Sequence, residues 1–85
     1  MRYQIRYEPN VIKQLKRIPN KDVVRINEAI NRLAYNPFIG KKLKGGLASF
    51  YSLRVWPYRV IYKIHRSFLM IIVVRITHRQ KAYKN

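Results

Sequence analysis

The sequence predicts one α+β domain over residues 1–85 in the order β-α-α-β-β-β, a mainly antiparallel four-stranded sheet with a two-helix hairpin packed on one face. Three observations carry this expectation. Residues 2–7 alternate apolar and polar side chains, two stripes of helical period lie between Pro9 and Asn36, and three closely spaced alternating runs follow residue 48.

In RYQIRY, Tyr3, Ile5 and Tyr7 share one face, the pattern of a half-buried strand. Pro9 suits the first helical position, where the missing N–H has no intrahelical partner to lose. Val11, Ile12, Leu15 and Ile18 then form one apolar stripe, with Lys13, Lys16 and Arg17 outward, and Pro19-Asn20 stops the helix. A second helix begins near Asn20 to Asp22, either of which can cap it, and carries Val23, Ile26, Ile30, Leu33 and Ala34 on one face. It ends at Asn36, because Pro37 disfavours helical geometry in the residue before it. The very short link predicts an antiparallel helix hairpin.

Residues 37–48, PFIGKKLKGGLA, hold all 3 glycines of the chain and read as an irregular loop anchored by Leu43. Strands are expected at about 49–56, 58–65 and 68–77, with Pro57 at the first bend and Arg66-Ser67 as a tight second connection. Tyr51, Leu53, Val55, Tyr58, Val60, Tyr62 and Ile64 belong under the helices, which sends Arg54, Arg59 and Lys63 to the opposite face. The last strand is apolar on both sides. Simple alternation places Ile72, Val74, Ile76 and His78 on one face and Ile71, Val73, Arg75 and Thr77 on the other.

The charge is extreme: 19 Lys and Arg against 3 Asp and Glu give a net +16. Self-repulsion of this size destabilises a compact state, so a polyanion or an acidic partner is expected to offset it, with nucleic acid the first candidate. The three acids are Glu8, Asp22 and Glu28, so no carboxylate follows residue 28. Paired-carboxylate acid/base chemistry, a two-metal nuclease centre and a calcium loop are excluded from the rest of the chain. With no cysteine and only His65 and His78, a zinc site or a disulfide framework is not expected either. The N-terminal MRYQIRYEPN lacks the apolar core of a signal peptide, and the run at 68–74 is far short of the roughly 20 residues of a membrane helix. A cytoplasmic protein is expected.

The order and spacing of VIKQLKRI, a second helix ending in NP, KLKG, YSLRVWPYRVIYKI and ITHRQKAY resemble the RelE-type toxins of the RelE/ParE superfamily. These are the toxin half of toxin–antitoxin pairs. The most specific piece, YSLRVWPYRVIY, is similar to the family pattern Y-x-L-R-x-x-x-Y-R-V-I-Y. The resemblance implies a compact α+β fold and, for the RelE branch, cleavage of mRNA in the ribosomal A site. It also implies inhibition by an acidic RelB-like antitoxin in a heteromeric complex. By position, the family's phosphate-binding arginine falls on Arg59, its second-strand basic residue on Arg54, and its C-terminal site residues on His78 or Arg79 and on Tyr83.

The implied enzyme is a metal-independent endoribonuclease without a cofactor, whose catalytic candidates are Arg54, Arg59, His78, Arg79 and Tyr83. Its RNA-binding candidates are Lys41, Lys42, Lys44, Lys63 and Lys81, of which Lys42 and Lys44 match the family's loop lysines. Cleavage by the RNA's own 2′-oxygen needs a base, charge stabilisation at phosphorus and an acid for the leaving 5′-oxygen. Guanidinium groups suit the second task, because they grip phosphate oxygens in a planar, bidentate way. Where RelE enzymes often carry second-strand lysines, this chain has Ser52 and Arg54, and arginine is a poor general base. The proton must then be moved by His78, whose imidazole exchanges protons near neutrality, or by Tyr83. Two other readings stand beside this one: a ParE-like inhibitor of DNA gyrase, and a non-catalytic basic nucleic-acid-binding protein.

Overall fold

Helices form where apolar residues recur at helical spacing, and the computed structural model, which describes residues 2–47 and 49–79, places two of them. The first, α1 (Pro9–Leu15), has Pro9 in its opening turn and sends Val11 into the core. It stops three residues before the expected end, because Arg17 and Ile18 donate to the carbonyls of Gln14 and Leu15 and so tighten into turns ahead of Pro19. The second, α2 (Asn20–Tyr35), buries Ile26, Ala29, Ile30, Leu33 and Ala34, a complete i, i+3, i+4, i+7, i+8 stripe. Its end matches the expectation: Asn36 is extended ahead of Pro37. Neither Asn20 nor Asp22 caps it; Pro19 occupies the cap position, and the Asp22 carboxylate instead takes the Arg25 guanidinium at 3.2 Å.

The strands are β1 (Gln4–Tyr7), β2 (Lys41–Lys42), β3 (Phe50–Val55), β4 (Tyr58–His65) and β5 (Met70–His78). They form one sheet in the order β1-β5-β4-β3-β2, with β1 parallel to β5 and every other pairing antiparallel. Among the described residues the sheet thus has five strands rather than four. The addition, β2, lies inside the segment read as a loop, and two residues are too few to show any alternation. The last strand begins at Met70 because Arg66–Phe68 make a 3₁₀ turn.

Strict alternation along β5 is also corrected. Ile61 faces Arg75 while Tyr62 faces Val73, so Val74 is one residue too many for its partner strand. This β-bulge flips the side-chain phase. Ile71, Val73 and Ile76 therefore all enter the core, which lies between the helices and one face of the sheet and includes Leu53, Val55, Val60 and Tyr62.

Where β1 ends, α1 takes over its hydrogen bonding. The Asn10 side chain donates to the Val74 carbonyl at 3.1 Å, and the Gln14 side-chain Oε1 accepts from the Ile76 amide at 2.9 Å. One helical turn apart, these two side chains close the strand edge beyond Tyr7. Gln14→Ala should cost about 1 kcal/mol in denaturant unfolding, since it leaves a half-buried donor unpaired, and should speed exchange of the Ile76 amide. Unchanged exchange at Ile76 would show that the side chain is not its partner.

Candidate nucleic-acid interface

Among the described residues the helices cover one face of the sheet and leave the other open, and that other face is basic. Arg54 and Arg59 are direct cross-strand partners, and Thr77 follows Arg59 in the same row. The next row is Lys41, Ser52, Ile61 and Arg75, and the one beyond it contains Phe50, Lys63, Ile72 and Arg6. Lys63 holds its ammonium 5.3 Å from the Phe50 ring centroid on this face. Like charges directly opposite across a ladder destabilise a sheet by up to about 1 kcal/mol, and a bound anion reverses the sign of that term. An Arg54–Arg59 pair at the end of a face whose strands carry no Asp or Glu is an arrangement that phosphate oxygens satisfy, with Glu28 of α2 lining a cleft beside Arg54.

A third arginine is fixed to the same end of the sheet. The Arg79 amide donates to the Pro57 carbonyl at 2.7 Å, and its guanidinium lies 4.8 Å from the centre of the Trp56 ring, which is 50% exposed. The turn between β3 and β4 thus carries Arg54 before it, Arg59 after it and Arg79 against it. Its position is held from below, where Arg25 donates to the Trp56 carbonyl at 2.7 Å.

His78, a catalytic candidate alongside Arg54 and Arg59, does not share their face. The bulge puts His78 in register with Tyr58 on the helix face, with the two rings edge to face at 5.3 Å. Tyr58 in turn is tied to Asp22. Burial raises its hydroxyl pKa above the ordinary tyrosine value, and Asp22 adds to the rise through its charge and by accepting the hydroxyl's hydrogen bond. A cleft of about 550 Å³ lies there, lined in part by Gln14, Arg17, Tyr58 and His78. Tyr83 and Lys81 lie outside the described residues.

The lysine loop is anchored by a buried phenol. Tyr62 is fully buried and donates its hydroxyl to the Pro37 carbonyl at 2.7 Å while accepting from the Gly40 amide at 3.1 Å. Its ring stacks on Tyr51 at 5.5 Å. Burial pushes the Tyr62 pKa up to about 12, against a smaller opposing effect of the Gly40 hydrogen bond. A raised folded-state value favours the neutral phenol. The stability it contributes is therefore complete below the unfolded value near 10 and is lost as pH rises through about 12. In an alkaline titration read by tyrosinate absorbance, the component absent from Tyr62→Phe should be the one that appears near pH 12. If that component appears near pH 10, the phenol is not held as described.

A family model described as the ParE toxin of type II toxin–antitoxin systems matches residues 5–83. The chain belongs to this toxin family. The toxin is 32% identical over 90 residues to a Methanocaldococcus jannaschii protein named as toxin RelE1, an alignment covering 100% of this chain and 99% of that one. Its fold is similar to the toxin–antitoxin complex RelBE2 of Mycobacterium tuberculosis, with a TM-score of 0.86 and 27% identity over 93% of this chain and 100% of that one. It is also similar to the archaeal RelE–RelB complex of Pyrococcus horikoshii, with a TM-score of 0.81 and 27% identity over 93% of this chain and 97% of that one.

Sequence reasoning assigned Arg54, Arg59 and Lys63 to the uncovered face of this toxin, and the strand register puts all three there. It grouped Lys41, Lys42 and Lys44 as RNA-binding and matched Lys42 and Lys44 to the family's loop lysines, whereas the register joins Lys41 to the row beside Arg54 and gives Lys42 the opposite phase as the partner of Tyr51. Arg75, exposed on the same face, was not singled out, because the bulge that turns it there leaves no mark in the residue pattern.

Proposed function

We propose that this toxin is a metal-independent, ribosome-dependent mRNA endoribonuclease that blocks translation. The observation that supports this most directly is the cross-strand pair Arg54 and Arg59 on an uncovered face rich in cations, with Arg79 held at the adjoining turn. Such a cluster grips a phosphodiester and stabilises the charge that develops on phosphorus. In this proposal Arg54 and Arg59 bind the scissile phosphate, Arg79 stabilises the leaving oxygen, and Lys41 and Lys63 contact the flanking backbone. With His78 turned to the helix face, proton transfer from the 2′-hydroxyl is assigned to Tyr83. A site with neither metal nor carboxylate relies on substrate positioning, which the ribosomal A site supplies.

The net charge of +16 also calls for an acidic antitoxin. The similar RelBE2 and RelE–RelB structures are both toxin–antitoxin complexes, and by analogy we assign this toxin a RelB-like partner. The deciding experiment is a translation reaction on a defined mRNA, read by primer extension. Cuts in the A-site codon are expected. The ParE description of the matching family favours a second reading, inhibition of DNA gyrase. A gyrase-dependent DNA break without mRNA cuts would put that reading in place of the first.

A further inference from the structure

We propose that Tyr62 is a positioning residue for RNA: by fixing the register of β2, its hydroxyl decides that Lys41, and not Lys42, stands beside Arg54 and Arg59. The inference rests on the reading of the uncovered face as RNA-binding. Register in a sheet is ordinarily set by which side chains are apolar, and β2 offers only two exposed lysines, so its own sequence does not choose between the two phases. A slip of one residue exchanges the faces of Lys41 and Lys42.

The choice is made next to the strand. The Tyr62 hydroxyl reaches the Pro37 carbonyl and the Gly40 amide, and Gly40 immediately precedes Lys41. The phenol has no freedom to follow a slipped loop, because its ring is fully buried and stacked on Tyr51. Gly40 leaves room for this contact because it has no side chain: a Cβ there would collide with the Tyr62 hydroxyl and stand 3.0 Å from the Ser52 carbonyl. At the far end, Leu43 donates to Phe50 at 2.9 Å, which continues the same register. Lys41 therefore pairs with Ser52, placing it diagonal to Arg54 at a Cα separation of roughly 7–8 Å. This spacing suits successive contacts along one phosphate backbone, and a buried hydroxyl on the helix side of the sheet sets it.

The test uses the full chain, freed of antitoxin, and a single-stranded RNA oligonucleotide, with affinity measured over a range of salt. In the otherwise wild-type protein, Lys41→Ala should weaken binding several-fold and make the salt slope shallower by about 0.7, the loss of one phosphate contact, while Lys42→Ala changes it less. In the Tyr62→Phe background the two lysine substitutions should become equivalent. Gly40→Ala disturbs the same contact from the loop side; it should reproduce that equivalence and carries the test if Tyr62→Phe does not fold. An undiminished Lys41→Ala effect in the altered backgrounds overturns the proposal, because the hydroxyl would then be structural only. A Lys41→Ala that is silent in the wild type overturns it as well. Arg59→Ala, measured alongside, separates these failures from failure of the RNA reading: it weakens binding if the face contacts RNA and leaves binding unchanged if it does not.

Discussion

Arg59→Ala should lower the rate of the proposed A-site mRNA cleavage by about 10²–10³-fold and relieve growth inhibition, the loss typical of removing one preorganised group that stabilises transition-state charge. The fold should survive. Arg59 projects from the uncovered face directly opposite another arginine, so truncation also relieves a like-charge contact. Primer extension on a translated message measures the first effect, and thermal unfolding measures the second. Cleavage at the wild-type rate by a folded Arg59→Ala protein would remove the arginine pair from the mechanism. If cleavage is lost only together with the fold, the residue's role is structural instead.

Ile30→Ala should cost about 2–5 kcal/mol, the range for removing a buried branched side chain and leaving a cavity. Ile30 is fully buried in the middle of the α2 stripe and belongs to the cluster with Leu33, Val60 and Tyr62. Small domains hold only about 5–15 kcal/mol in total, so the substitution is expected to bring this chain close to unfolding and to lower the melting temperature by roughly 10 °C or more. Val24 provides the internal control. It lies on the same helix but is 58% exposed, and Val24→Ala should stay within about 0.5 kcal/mol. Equal losses at the two positions would contradict the assigned helix face.

The α2 stripe, the stop before Pro37 and the apolar face of β3 and β4 were legible because each is written in local periodicity and in proline geometry. The basic character of the opposite face was legible for the same reason. Alternation in β3 and β4 leaves Arg54, Arg59 and Lys63 no other side to occupy. Two features were not legible. The extra residue at Val74 sets His78 on the helix face together with Val73 and leaves Arg75 on the uncovered one, and a bulge reflects partner pairing rather than the composition of its own strand. The two-residue β2 exists only because Tyr51 and Ser52 are there to pair with it.

The sequence by itself determined the α+β class, the helix boundaries marked by Pro9 and Pro37, the carboxylate-free basic face, and the chemistry that such a face can and cannot perform. Those properties follow from residue type and spacing along the chain. Only the tertiary structure decided that His78 turns toward Tyr58 rather than toward Arg59, that Arg79 closes on Trp56, and that Lys41 instead of Lys42 joins the arginine pair. The physical reason is common to all three. Each depends on strand register and on contacts between residues distant in sequence, and a shift of one residue reverses the face while leaving the local pattern unchanged.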